Sequence, residues 1–458
     1  NKGLNIFNSK FVLADKDTAT DNDLLNIESV IAHEYFHNWS GNRITLREWF
    51  ELSLKEGLTV FRENQFMEDL YHPGLERIKE VRSLRSNQFA EDCSSASHPV
   101  RPSSYEKIEN FYTSTVYDKG AEVIRMLSVM LGREKFIEGV KRYFKENDGT
   151  AATVEDFIQA LETVSSRDLS QFKHWYDQSG TPKITVEGHY NKRKSTYALT
   201  IKQETLSTPD QKQKTNLHIP IAVGLLDDEG NDIPLLLSGS IGKPKQNTHI
   251  LELRESTQTF EFVNITTAPV PSVLRHFSAP VLLDIALSDE ELCFLAMHDS
   301  DVFNRWDAMQ KLFKKAVLET MQALESKMTT ILSPHLVNAF SYLLDNHSED
   351  RAFLAKILEF PSITEIAISL DQIDIDRLKK AYNSVRVHLA ETFSNSFQAL
   401  YKHNNVNKPY MVTPSEVGRR ALKNHLLSYL LLMPNKEIIA LAEHQYLSSN
   451  NMTDRYAA

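Results

Sequence analysis

At 458 residues, with hydrophobic side chains at 41% and charged ones at 24%, the chain is too long for one core and has the material for about three domains. Its formal net charge of −10 and scattered Lys and Arg disfavour nucleic acid or an anionic membrane surface as a partner. Two cysteines, Cys93 and Cys293, lie far apart and give no disulfide framework, which suits a reducing, cytoplasmic compartment.

In chain order, residues 1–20 mix alternation with turn residues and read as strand and loop. Asp21-Asn22-Asp23 offers N-cap candidates for a strongly apolar, buried helix over 22–40. A second helix is predicted over 53–70, then others over 75–90, 113–132, 134–147, 153–163 and 168–178. Arg77, Lys79, Arg82 and Arg85 read as a solvated helix face, and His98 as a packed loop histidine. Gly180-Thr181-Pro182 ends this run. From Lys183 the period changes to two, with strands over 184–186, 197–201, 219–223 and 260–263 and a turn at Asp227–Asn231. Ser288-Asp289-Glu290-Glu291 opens an all-helical remainder, in which Thr413-Pro414 combines an N-cap with proline at N1. The strongest apolar run, Leu426 to Met433, stops at Pro434 and falls short of the roughly 18 residues that span a bilayer. No integral membrane segment is predicted.

One motif carries chemistry. In His33-Glu34-Tyr35-Phe36-His37 the two histidines are four apart, so one helix face can offer two imidazole nitrogens to one metal ion. Glu34 is rotated by about 100° from His33 and can point at a water instead. This is the H-E-x-x-H pattern of zinc hydrolases, which needs a third ligand. Glu56 is the nearest downstream carboxylate in a second helical segment. Taken alone, Ser53-Leu54-Lys55-Glu56 reads better as a capping box, because such caps are commoner than zinc sites. The spacing from His37 favours the metal.

His33-Glu34-x-x-His37-x18-Glu56 resembles the gluzincin metallo-aminopeptidases, and the text from His33 to Arg43 is similar to their bacterial aminopeptidase N branch. Leu54 to Phe61, Val116 to Glu122, Trp175-Tyr176 and Gly180-Thr181-Pro182 agree with it. The resemblance implies an α+β multidomain chain in three parts. A thermolysin-like, mostly helical catalytic domain spans 1–182, a small β-sandwich 183–282, and part of a C-terminal α-helical superhelix 283–458. It implies one Zn²⁺ held by His33, His37 and Glu56, with Glu34 as general base and acid and Tyr117 as oxyanion donor. Asn1 looks like the last residue of the family's Gly-Ala-Met-Glu-Asn loop, placing Asn1 and Tyr112 among substrate-binding residues. The chain thus reads as a fragment lacking an N-terminal β-domain and the end of the superhelix.

The implied reaction is release of N-terminal residues from peptides with a free N-terminus, by a monomeric, cytoplasmic protein, either free or peripheral to the inner membrane. Two alternatives stand beside it. One is another zinc hydrolase activity, such as the epoxide hydrolysis of a related branch. The other is a zinc-binding fragment without turnover, because the amine-binding glutamate of the loop is absent.

Overall fold

The computed structural model describes residues 3–242, 246–328, 331–346, 350–368, 370 and 372–458. The chain divides into two compact units, residues 1–7 with 29–286, and residues 8–28 with 287–458. The fold is α+β: a mostly helical segment, a small pair of sheets, and a helical array. No described helix is long and apolar enough to cross a membrane.

In the first unit the helical segment runs from the end of α1 (Asp21–Phe36) through α2 (Leu52–Leu70), α3 (Pro73–Ser83), α4 (Phe89–Asp92), α5 (Gly120–Leu131), α6 (Arg133–Asn147), α7 (Val154–Ser165) and α8 (His174–Asp177). A short parallel pair, β1 (Thr45–Leu46) and β2 (Ala151–Ala152), joins the loop after α1 to the start of α7. The core is built where α2 meets α5 and α6 meets α7, from Leu54, Leu58, Phe61, Val123, Leu127, Phe136, Phe157 and Leu161.

Strands β3 (Lys183–Asn191), β4 (Thr196–Glu204), β5 (Ile219–Leu226), β6 (His249–Leu253), β7 (Thr257–Val263), β8 (Val270–Val273) and β9 (Leu282–Ile285) follow. They form a four-stranded sheet in the order β7-β4-β3-β9 and a three-stranded sheet in the order β6-β5-β8. β3 and β4 pair antiparallel from Lys183↔Glu204 to Asn191↔Thr196, and β9 lies parallel to β3. β4 alternates buried Leu199 and Ile201 with exposed Lys202, as a half-covered strand should, whereas β5 is buried along its whole length. β9 carries the sheet three residues past the predicted edge at 282.

The second unit holds the start of α1 and helices α9 (Asp289–His298), α10 (Val302–Glu325), α11 (Pro334–Asp345), α12 (Arg351–Ile357), α13 (Ile363–Ala367), α14 (Ile375–Thr392), α15 (Ser394–Asn404), α16 (Pro414–Leu430), α17 (Lys436–Ser448) and α18 (Met452–Ala457). Ser288 and Glu291 close a reciprocal capping box at α9, and Pro414 occupies the first turn of α16 after Thr413. Phe313, Phe340, Phe397, Tyr401, Leu426 and Tyr429 are fully buried in its core.

Four expectations are corrected. Arg77 is not on a solvated face. It is 1% exposed, its guanidinium gripping both Glu122 oxygens at 2.6 Å and donating to the carbonyls of His276 and Phe277 at 2.8 Å. A basic run along a helix looks alike whether its charges meet water or buried carboxylates. Next, Thr20 rather than the Asp21–Asp23 run caps α1: its Oγ1 accepts from the Asp23 amide at 3.2 Å, and Asp23 accepts from the Thr20 amide at 2.9 Å. Asp21 is instead buried in the second unit against Arg420 and Tyr410. α1 is also less buried than its apolar composition suggests, with Ile31 and Tyr35 exposed. Finally, the helix expected over 168–178 shrinks to α8, and the side chains of Gln171 and Trp175 donate to the carbonyls of Asn216, Arg254 and His218.

Arg77→Ala should strand Glu122 beside Glu80 in the core and cost about 3–5 kcal/mol, the usual loss when one partner of a buried pair is removed. Chemical denaturation of both chains checks this.

Candidate metal and catalytic site

The site begins where α1 ends. His33 and His37 occupy successive turns on one face, with ring centroids 4.7 Å apart and planes at 85°. Each ring is oriented through Nδ1. That of His33 lies 2.9 Å from Glu63 Oε2, and that of His37 lies 2.8 Å from the Ser40 carbonyl, with Thr59 Oγ1 at 3.3 Å. Nδ1 donation to those oxygens leaves both Nε2 lone pairs turned inward.

α2 brings the third group. Glu56, 3% exposed, places Oε2 at 3.4 Å from His33 Nε2 and 3.3 Å from His37 Nε2, which are themselves 3.0 Å apart. That buried oxygen accepts no well-directed hydrogen bond, while Oε1 is held by the Lys55 ammonium. A tetrahedral zinc site, with bonds of about 2.0–2.2 Å, separates its ligand atoms by roughly 3.3–3.5 Å. The two edges to Glu56 fall in that range and the His33–His37 edge is a few tenths of an ångström shorter, and an orphaned carboxylate oxygen between two imidazole nitrogens is what a cation would satisfy. Among the described residues this is the one His/Cys/Asp/Glu set with such a geometry. The capping-box reading of Glu56 fails, because α2 starts at Leu52 and Ser53 Oγ donates to the Val116 carbonyl instead.

Electrostatics fit the same picture. Burial disfavours a charged His33, but the facing carboxylates of Glu56 and Glu63 outweigh it and raise its pKa to about 9. Burial likewise opposes ionisation of Glu56, yet the facing imidazoles and Lys55 drive its pKa far below the carboxylate range.

Two glycines bring Tyr117 to this place. α2 and α5 cross at Gly57 and Gly120, where a Cβ on Gly57 would sit 2.8 Å from the Gly120 carbonyl carbon. A Cβ on Gly120 would lie 2.1 Å from Ser53 Oγ. The predicted helix over 113–132 begins as a wider π-helical turn over Thr115–Lys119, which carries Tyr117. Behind it, Lys119 is buried against Asp92 at 2.8 Å and donates to the Gly180 carbonyl. Tyr117 packs on Leu52, Phe111 and Val116. Burial first, and the Glu56 charge second, keep its phenol protonated well above the usual range.

A cleft of about 510 Å³ opens over this cluster, lined by Val30, His33, Glu34, His37, Glu56 and Tyr117 together with Gly41, Asn42, Lys55 and Glu63. The structure thus gathers His33, His37, Glu56, Glu34 and Tyr117. Tyr112 is exposed beside Tyr117, at 6.3 Å between centroids, and does not line the cleft. Asn1 lies outside the described residues. His98 is turned to Glu91 and the Pro99 carbonyl. Sequence reasoning missed Lys55, Thr59 and Glu63, although Glu56, Thr59 and Glu63 share one face of α2 at i, i+3 and i+7.

The first unit thus presents a donor set of two histidines and one glutamate of the kind that can hold a divalent cation. In comparison with known proteins, residues 1–176 match the Peptidase family M1 domain. Residues 180–286 match a domain of unknown function described as an Ig-like fold, and residues 289–458 one described as ARM repeats. The whole chain is 45% identical to aminopeptidase N of Escherichia coli and 44% identical to that of Haemophilus influenzae. It spans about half the length of these curated relatives, 52% of each. A solved structure of Legionella pneumophila aminopeptidase A in complex with aspartic acid superposes on 99% of this chain and 50% of its own, with a TM-score of 0.85 at 31% identity.

Gly120→Ala should destabilise the α2–α5 crossing by about 1–3 kcal/mol, the usual cost of overpacking. Adding Ser53→Ala removes the colliding oxygen, so the double variant should regain part of that loss, which a double-mutant cycle of unfolding free energies reads directly.

Proposed function

We propose that this chain is the catalytic portion of a zinc aminopeptidase that removes N-terminal residues from peptides with a free N-terminus. The single observation carrying the proposal is the unpartnered Glu56 Oε2 set 3.3–3.4 Å from two inward-facing imidazole nitrogens. Similarity along the whole chain to bacterial aminopeptidase N supports the reaction class. We read residues 1–182, 183–282 and 283–458 as its three domains and the cytoplasm as its compartment, in keeping with two free cysteines and a net charge of −10.

His33, His37 and Glu56 hold the ion. Zinc, when bound, polarises the scissile carbonyl and lowers the pKa of a water towards about 7. Glu34 faces the same cleft from the turn between the two histidines. It takes the proton of the attacking water and passes it to the leaving amine, serving as base and then acid. Tyr117, kept protonated by its surroundings, donates to the oxygen on which charge develops. Glu63 and the Ser40 carbonyl fix the imidazole tautomers and contribute no reacting atom.

Tyr117→Phe should lower turnover of aminoacyl arylamides by about 10²–10³-fold, the usual effect of losing an oxyanion donor, with bound zinc unchanged. Glu34→Gln should likewise keep zinc and lose turnover, whereas Glu56→Ala should lose zinc; metal analysis with a chelator control separates the two classes. The reverse pattern would overturn the ligand assignment. Glu63→Gln should weaken zinc binding by about 10–100-fold, measured by chelator competition.

A further inference from the structure

Lys55 has no part in the reaction as written, yet it lines the cleft and touches a proposed ligand. We propose that Lys55 is a positioning residue that restricts Glu56 to one ligating oxygen, so that a coordination position stays open for water and substrate. The inference rests on the zinc reading above.

The geometry separates the two oxygens of Glu56. Oε1 is hydrogen-bonded by the Lys55 Nζ, while Oε2 faces His33 and His37 without a partner. A carboxylate with both oxygens free can close on a metal through both. One whose second oxygen is neutralised by an ammonium offers a single donor. Catalytic sites need that restraint, because three protein ligands must leave room for a fourth.

The loop after α1 is shaped to keep the lysine there. Gly41 has φ +107°, a conformation that L side chains rarely adopt, and a Cβ on it would lie 2.7 Å from Lys55 Cδ and 3.6 Å from His37 Nδ1. The missing side chain at 41 is thus the slot in which the Lys55 stem lies. The neighbouring Ser40 carbonyl orients His37. One short loop therefore seats an imidazole and the lysine that governs the facing carboxylate. A lysine serving only solubility would stand in water, but the Lys55 side chain is 26% exposed and its ammonium is spent on a 4% exposed carboxylate.

The test replaces zinc by cobalt(II), whose visible absorption distinguishes four- from five-coordinate ions, in the 458-residue chain and its Lys55→Met and Lys55→Arg variants. Methionine keeps the apolar stem and removes the charge. The expected result is one equivalent of cobalt in all three, with a several-fold weaker, five-coordinate spectrum for Lys55→Met and the wild-type spectrum for Lys55→Arg. Gly41→Ala, with folding followed by circular dichroism, should move the spectrum in the same direction as Lys55→Met. An unchanged spectrum in Lys55→Met, or loss of its one-equivalent binding, overturns the proposal, the second outcome showing that the lysine only supports the ligand cage. Failure of the unaltered chain to take up stoichiometric metal would instead sink the zinc reading itself, and the role of Lys55 with it.

Discussion

A carboxylate oxygen buried between two imidazole nitrogens, with no proton placed to satisfy it, is the constraint on which the rest of the first unit depends. Leaving such an acceptor unpaired costs about 1–3 kcal/mol, more when it is charged. A fold tolerates that only where neighbouring packing over-determines the arrangement. Here it does. Glu56 sits in the middle of a buried stretch of α2, between Leu54 and Leu58, so the helix cannot turn to release it without exposing core. His33 and His37 are in turn held from behind by Glu63 and the Ser40 carbonyl.

The same helix settles where the remaining groups can be. Because Gly57 follows Glu56 directly, the close crossing with Gly120 falls one residue from that carboxylate, and the turn entering α5 lies alongside it. Tyr117 is on that turn. The hydroxyl of Ser53, which a capping box would have spent on an amide, is spent on the Val116 carbonyl and helps to widen the turn. Site and packing are therefore one construction. The residues that let the helices touch are also those that put a phenol beside the carboxylate.

This explains why some of the molecule was legible in the sequence. His33, Glu34 and His37 obey a rule of one helix, four residues per face, and need no tertiary knowledge. Glu56 already required a second element, and its local text alone argued for a cap. Tyr117 was legible only through family resemblance, because its place follows from a glycine contact between α2 and α5 that no periodicity reveals. Glu63 could have been found from the face it shares with Glu56. Arg77 could not: its burial depends on Glu122, 45 residues on, and on carbonyls some 200 residues away. The sheets were visible as a change of period, whereas their order, with β9 returning parallel to β3, is a long-range fact.

Charge supplies the last step. Glu34, Glu56 and Glu63 share one cleft with a single ammonium, that of Lys55, so with neutral imidazoles the cluster is formally short of two positive charges. The rise of His33 to about 9 is the same shortage expressed in protons, since burial alone would push that ring the other way. A dication, as proposed, would meet the whole deficit at the point where Oε2 and both Nε2 atoms converge. It would also free His33 Nε2 from carrying a proton, which a ligating nitrogen cannot keep. Proton and metal ion thus compete for one position, and the acidic surroundings that attract either are the carboxylates that the proposed chemistry uses.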